Sequence, residues 1–235
     1  MKKLSIIIPV FNEEKTVAKL LKSVLSARLP IKNIEYIVIN DGSTDGSKFK
    51  IQSIKSKRIK LLEHKKNLGK GAAIGTGLKK ANGDYVVIQD ADLEYNPNDI
   101  AKLITAITPH HRVIYGTRLK RLPNFKDDMR TFYFIHYFGN RFLSLVTSIL
   151  YHHWLTDMEC CYKLFPKEAL KNMNLRAQGF EFEPEITAKL LKKGYKIAEV
   201  PITTKPRTYG EGKKLYAIRD GSKALWTLVK YRFID

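Results

Sequence analysis

Tyr85-Val86-Val87-Ile88-Gln89-Asp90-Ala91-Asp92-Leu93-Glu94 runs from an apolar, β-rich segment straight into three carboxylates. A short apolar run ended by polar turn residues reads as a strand buried on both faces. On an extended segment, residues two apart face the same side, so Asp90 and Asp92 are expected to approach one cation. Hard divalent ions take oxygen ligands, and Mg2+ or Mn2+ binds one or two carboxylates together with substrate phosphates. Glu94 stands where it would supply a third ligand or hold a bound water. An isolated Asp-x-Asp arises often by chance on acidic turns; closing a buried-looking strand, it points to metal.

Working outward, residues 4–9, 36–40, 59–63 and 112–116 also read as strands. Between the first two, Val17, Leu20, Leu21, Val24 and Leu25 have helical spacing, with Asn12 as the expected N-cap and Glu13 and Glu14 in the first turn. Residues 70–81 and 98–107 are further helices by pattern. Such alternation predicts an α/β fold, a Rossmann-like, mainly parallel sheet flanked by helices. Ligands of such sheets collect beyond the carboxyl ends of the strands. There stand Phe11-Asn12-Glu13, Asn40-Asp41-Gly42-Ser43-Thr44-Asp45, Asp90-Ala91-Asp92 and Gly116-Thr117-Arg118, a rim suited to a metal-dependent site for an anionic ligand.

Individual motifs allow plainer readings. Asp41 would accept hydrogen bonds from a base or ribose, or it is ordinary turn chemistry capping the next helix. Gly69-Lys70-Gly71-Ala72-Ala73-Ile74-Gly75 lacks both the Lys-Ser/Thr ending of a P-loop and dinucleotide spacing, so it reads as a close-packed helix start near the rim. His110-His111 and His152-His153 have no zinc spacing with the cysteines. Arg207, Lys213 and Lys214 share a glycine-bearing loop with Tyr209, which is either a solvated basic loop or a cover that neutralises a departing diphosphate.

Composition bounds the rest. The 235 residues, 44% hydrophobic with 14 Gly and 9 Pro, are neither disordered nor collagen-like, and they suit one large α/β domain over residues 1–235. Cys160 and Cys161, adjacent and alone, build no disulfide framework and suggest a reducing compartment. The apolar start is broken by Asn12, Glu13 and Glu14, too soon for a secretory signal, and a cytoplasmic protein is expected. Residues 132–154 carry His136, Asn140, Arg141, His152 and His153, so no bilayer span is expected there. With 42 basic and 23 acidic residues, the net charge of +19 predicts an anionic partner: nucleic acid, an acidic membrane surface or a phosphorylated substrate. No helix-turn-helix, zinc-finger or RNP pattern supports nucleic acid.

In their order along nearly the whole chain, the segments 7–14, 40–45, 90–94, 116–118, 157–165 and 207–213 resemble a family 2 glycosyltransferase of GT-A fold. The resemblance is to the dolichyl-phosphate mannose synthase and polyprenyl-phosphate glucosyltransferase group. It implies transfer of mannose or glucose, with inversion, from a nucleotide sugar such as GDP-mannose or UDP-glucose to a polyprenyl phosphate. It places the nucleoside on Pro9, Phe11, Glu13, Ile39 and Asp41, and the metal and diphosphate on Asp90, Ala91 and Asp92, with Glu94 at the third metal position. Arg118 and Arg130 would meet the lipid phosphate, and Arg207 and Lys213 the donor diphosphate. Asp92, Asp157 and Arg207 form the expected catalytic set, residues 1–117 the donor half and 118–235 the acceptor half. Phe11 stands where a tyrosine is common, Gly212 where a serine is, and Glu94 where glutamine is frequent.

A phosphate monoester, with a second pKa of about 6, is already anionic near neutrality and needs no strong base. The rival acceptor is a saccharide hydroxyl, for which Asp157 is the candidate base and Glu181 and Glu183 weaker ones. Asp157→Asn is expected to separate the two, a hydroxyl acceptor being the one that suffers. The basic stretch 118–130 and the aromatic helix after it suit peripheral attachment to the cytoplasmic face of a membrane, directly or through a membrane-protein partner; packing of residues 132–151 as a core helix is the plain alternative. A sugar-nucleotide pyrophosphorylase is excluded, because Phe11-Asn12-Glu13-Glu14 stands where that class needs a glycine-rich basic loop.

Overall fold

The computed structural model describes residues 1–118, 131–207, 214 and 216–234. Its strands are β1 (Leu4–Val10), β2 (Ile34–Asn40), β3 (Ile59–Glu63), β4 (Tyr85–Ile88), β5 (Val113–Thr117), β6 (Lys163–Pro166) and β7 (Ile197–Pro201). They form one sheet in the order β3-β2-β1-β4-β6-β5-β7. All neighbours are parallel except β6, which runs antiparallel to both β4 and β5. The α/β expectation holds, with that one reversed strand between the two halves of the sheet.

The helices are α1 (Val17–Ser26), α2 (Ser47–Gln52), α3 (Lys70–Lys80), α4 (Ile100–Thr105), α5 (Thr131–Tyr151), α6 (Phe182–Lys192) and α7 (Ala217–Phe233). β1 is central and fully covered: Leu4, Ile6, Ile7 and Ile8 expose nothing. Val17, Leu20, Leu21 and Val24 turn the apolar face of α1 into the same core. α3 lies so close to the sheet that a Cβ at Gly77 would come within 2.7 Å of Ile7 and 2.9 Å of Ile39. Burying one such aliphatic side chain stabilises the fold by about 1.5–3 kcal/mol.

The order of strand addition reverses at β1: β2 and β3 extend the sheet one way and β4 the other. The crevice beyond the carboxyl ends of β1 and β4 is therefore the topological switch point where ligands of such sheets bind.

The second half packs differently. α5 contacts α7 and α6, with a small core of Leu143, Met158, Ala224 and Leu228. Ser144, Thr147 and Ser148 on α5 are buried and return their hydroxyls to the carbonyls four residues back. Phe138, Phe142, Leu145 and Ile149 on the same helix are exposed. Thus α5 packs through one face, as the core-helix alternative expects, and presents an apolar row on another. Among the described residues no helix is long and apolar enough to cross a membrane. Cys160 and Cys161 are free and buried, and burial pushes the Cys160 thiol up to about 12.

Candidate active site

Four strand ends build the rim. Beyond β1, Asn12 is not the N-cap of α1, whose N-cap is Thr16. Its backbone is left-handed at φ 49° and its side chain accepts from the Thr44 N–H at 2.8 Å, tying the loop after β1 to that after β2. The next residue, Glu13, is 7% exposed. Burial pushes its carboxyl up, but hydrogen bonds from Arg207, Thr16 and Lys214 outweigh that and hold it below the usual carboxylate range.

Beyond β2, Asp41 is spent within the chain. Its Oδ1 lies 2.6 Å from His64 Nδ1 and accepts from Leu68 N at 3.0 Å, while Oδ2 accepts from Gly69 N at 2.8 Å. It organises the loop entering α3, and Asp45 rather than Asp41 accepts from Ser47 N at the start of α2. Gly42 follows at φ 65°, against the backbone of Lys66, where any side chain would collide. Ile39 is fully buried and Pro9 half-buried.

Beyond β4 the chain is no longer extended. The strand stops at Ile88, and Ala91 and Asp92 sit in a turn, so two-residue alternation is not what brings Asp90 and Asp92 near each other. The turn is fixed by Glu94 N donating to Asp92 Oδ1 at 3.0 Å and by a left-handed Leu93 at φ 64°. Burial, then the charges of Asp90 and Glu94, push the Asp92 carboxyl up to about 7. Lys70, at the start of α3, holds Asp90 at 3.0 Å and 3.1 Å and Glu183 Oε1 at 3.0 Å. Burial opposes the Lys70 charge, but Asp90 and Glu183 keep the ammonium well above its usual range.

Glu94 is the residue expected at the third metal position. Its Oε1 accepts from Arg207 N at 3.1 Å and lies 3.6 Å from Arg207 Nε. Among the described residues no group of three or more His, Cys, Asp or Glu makes a metal site unaided. Asp90 and Asp92 nevertheless suit a hard divalent cation completed by phosphate oxygens. Both are carboxylates, and after burial the charges of Asp90 and Glu94 push the Asp92 carboxyl up, a cluster of negative charge that a cation would relieve.

Beyond β5, Arg118 is gripped by Asp157 through Nε at 2.8 Å, NH2 at 2.7 Å and its backbone N at 2.8 Å. Asp157 exposes nothing, and both its oxygens face this one arginine, the geometry of a group that orients Arg118 rather than of a free base. Arg118 NH1 reaches Tyr95 Oη at 3.3 Å.

The tail closes the rim. Arg207 pairs with Glu13 through both terminal nitrogens at 3.1 Å and lies 3.4 Å from Asp92. Lys214 Nζ lies 2.9 Å from Glu13 Oε1 and 5.5 Å above the Phe11 ring. Arg130 and Lys213 lie outside the described residues. Glu181 accepts from Gln178 N and Gly179 N and so belongs to a turn.

Sequence reasoning left Lys70 and Glu159 without roles. Lys70 had a signal, its place in the glycine-bearing segment beside the rim; Glu159, between a catalytic candidate and two cysteines, had none. Burial, then the charge of Glu183, pushes the Glu159 carboxyl up to about 7 from an ordinary 4.5. A carboxyl raised on folding contributes fully below pH 4.5, and that contribution is lost as pH rises to about 7. Glu159→Gln is therefore expected to stabilise the protein at pH 8 by up to about 3 kcal/mol and to change little at pH 4.5. Melting curves of both proteins at the two pH values check this; parallel curves would contradict it.

Residues 5–173 match the family described as Glycosyl transferase family 2. A UDP-N-acetylglucosamine–dolichyl-phosphate N-acetylglucosaminyltransferase of Methanococcus voltae is 32% identical over 223 residues, covering 85% of this chain and 84% of that one. A dolichyl-phosphate beta-glucosyltransferase of Trichomonas vaginalis is 30% identical over 214 residues, covering 85% of this chain and 64% of that one. Glucosyl-3-phosphoglycerate synthase from Mycobacterium tuberculosis, solved with Mn2+, UDP and phosphoglyceric acid, superposes with a TM-score of 0.73 at 18% identity, over 100% of this chain and 80% of that one. That likeness carries the GT-A fold. The match over most of the length, and relatives that are themselves glycosyltransferases, agree with a carboxylate-rimmed switch point: the chain belongs to glycosyl transferase family 2 and is a glycosyltransferase similar to the polyprenyl-phosphate group.

Proposed function

We propose that this chain transfers a hexose, mannose or glucose, from a nucleotide-diphosphate sugar to a polyprenyl (dolichyl-type) phosphate with inversion, in a divalent-metal-dependent reaction. The observation that carries the reading is the Arg118–Asp157 pair. A guanidinium fixed by a fully buried carboxylate is an anion-binding group, and that carboxylate has no oxygen left over for proton abstraction. An acceptor that is already a phosphate anion needs no base. The names of the relatives from Methanococcus voltae and Trichomonas vaginalis support a dolichyl-phosphate acceptor.

Asp90 and Asp92 would hold Mg2+ or Mn2+ against the donor diphosphate, where the cation supplies Lewis-acid stabilisation of the leaving group. Crystals of the mycobacterial neighbour with Mn2+ or Mg2+ and UDP support that choice. Arg207 approaches the same carboxylates from the tail, in position to exchange Glu13 and Asp92 for phosphate oxygens. Residues 1–117 would bind the donor, with Phe11 and Glu13 at the nucleoside, and residues 118–235 the acceptor.

The test is a transfer panel of UDP-glucose, UDP-N-acetylglucosamine and GDP-mannose with Mg2+ or Mn2+, with and without polyprenyl phosphate. One donor is expected to give product only when metal and lipid phosphate are both present. Transfer to saccharide hydroxyls with none to the phosphate would overturn the reading.

The exposed row Phe138, Phe142, Leu145 and Ile149 on a chain of net charge +19 supports peripheral binding to an anionic membrane. Vesicles with anionic lipid are expected to sediment the protein at low salt. Joint replacement of Phe142 and Ile149 by aspartate should weaken this at least tenfold, and indifference of the unaltered protein to such vesicles would remove the membrane from the scheme.

A further inference from the structure

Between α5 and β6 the chain is irregular over residues 152–162, yet Asp157, Met158, Cys160, Cys161 and Tyr162 within it are buried. Buried backbone outside a helix or a ladder needs other partners for its N–H and C=O groups. Three charged side chains from three elements supply them here. Lys163, the first residue of β6, is fully buried and donates from Nζ to the Met158 carbonyl at 2.8 Å and to the Cys160 carbonyl. Glu199, on β7, accepts from Asp157 N at 2.9 Å, from Thr156 N at 2.8 Å and from Thr156 Oγ1 at 2.9 Å. Arg141, on α5, donates to the Thr156 carbonyl at 3.2 Å. The N–H groups of the segment thus meet an anion and its carbonyls two cations.

Satisfying a carbonyl does not require a charge. Withdrawing an ammonium wholly from water is costly, and a hydroxyl or carboxamide would donate with less desolvation. What a charge adds is grip, since charge-assisted hydrogen bonds are roughly twice as strong as neutral ones. The Lys163 ammonium is also fixed 4.7 Å from the centre of the Tyr115 ring, whose hydroxyl meets Thr187 of α6 at 3.0 Å. Asp157 sits within the gripped segment, and a turn closed by Cys160 N donating to the Asp157 carbonyl at 3.4 Å follows it directly. Both carboxylate oxygens of Asp157 are spent on Arg118, so the guanidinium follows wherever the Asp157 backbone is held.

We propose that Lys163 and Glu199 are positioning residues for the acceptor: they clamp residues 156–160 from opposite sides, hold Asp157 in place and thereby aim Arg118 at the acceptor phosphate. This rests on the reading of Arg118 as the acceptor-phosphate anchor. Both residues act through the pose of that guanidinium, so their contribution falls on acceptor affinity and not on activation of the donor.

The experiment is steady-state transfer to polyprenyl phosphate with Mn2+, using whichever of UDP-glucose, UDP-N-acetylglucosamine and GDP-mannose gives product. It compares the unaltered protein, Lys163→Met and Glu199→Gln, with melting curves of each. Methionine fills the site without the charge, and glutamine keeps the shape of Glu199 and one accepting oxygen. Acceptor KM is expected to rise about tenfold in Lys163→Met and about fivefold in Glu199→Gln, while kcat and donor KM stay within about twofold. The second measurement places Glu199→Gln in an Arg118→Lys background, where it should change acceptor KM by less than about twofold, because the anchor it serves is already lost. A merely structural pair would lower the melting temperature and leave acceptor KM alone, which would overturn the proposal. An equal rise in donor KM, a fall confined to kcat, or the same fivefold rise in the Arg118→Lys background would overturn it too. Should Lys163→Met fail to fold, the two Glu199→Gln measurements decide. If the unaltered protein gives no polyprenyl-phosphate product, the acceptor reading itself fails, an outcome seen before any variant is compared and distinct from failure of the clamp.

Discussion

Asp92→Asn is expected to lower kcat/KM for sugar transfer on the order of 10³-fold, equivalent to ~4 kcal/mol of transition-state stabilisation. The carboxamide keeps the shape of the turn and can still accept from Glu94 N, so the fold is not the casualty. What is lost is one of the two negative charges offered to the metal. The same carboxyl predicts a pH dependence. Burial, Asp90 and Glu94 push it up to about 7, so below that pH a proton competes with the cation for the same oxygens. The Mn2+ concentration giving half-maximal rate should therefore rise about tenfold per pH unit below 7 and level off above it. Kinetics at graded Mn2+ between pH 6 and 8 measure this directly. Full transfer by Asp92→Asn, or a pH-independent Mn2+ requirement, would remove Asp92 from the metal.

The parts of this site that sequence makes legible are those where one short segment carries both the strand and its chemistry. The run 85–94 announces a buried strand and its acidic exit together, and Leu4–Val10 does the same for Glu13. In a parallel sheet every such exit falls on one side, so reading the strand ends is enough to place Glu13, Asp41, Asp90 and Arg118 on a common rim.

What cannot be read this way is partner choice over long separations. Glu94 stands beside the acidic pair in sequence, but no spacing shows that a backbone N–H 113 residues away donates to it. Lys70 and Glu183 meet only because α3 and α6 converge on the end of β4, and no local pattern encodes that. The reversed β6 is equally opaque: the insertion of Lys163–Pro166 between β4 and β5 follows from packing. Asn12 misleads for a simpler reason. A small polar residue before acidic ones is the usual helix-start signal, and here a left-handed backbone and a cross-loop bond to Thr44 displace it.

Asp157→Asn is expected to raise the KM for polyprenyl phosphate at least tenfold, while donor hydrolysis without acceptor stays within about twofold. The structure changes what this substitution measures. Asp157 is not poised at the surface to receive a proton: it exposes nothing, and its oxygens bond Arg118 through Nε, NH2 and backbone N. Replacing the carboxylate by a carboxamide leaves the guanidinium one neutral acceptor oxygen besides Tyr95 at 3.3 Å, so its two-pronged, charge-assisted grip is lost and its aim at the acceptor loosens. It also removes one member of a largely buried ion pair, a loss of about 3–5 kcal/mol of stability, so melting temperature should fall alongside affinity. Loss of activity by itself therefore no longer separates a phosphate acceptor from a hydroxyl one. The separation lies in how the loss divides. A positioning residue moves KM and is mimicked by Arg118→Lys, which keeps the charge but not the two-pronged geometry. A general base moves kcat, leaves KM alone and takes with it one limb of the pH–rate profile. Arg118→Lys and Asp157→Asn with matching rises in acceptor KM support the pair as the phosphate anchor. A collapse of kcat confined to Asp157→Asn restores the hydroxyl acceptor.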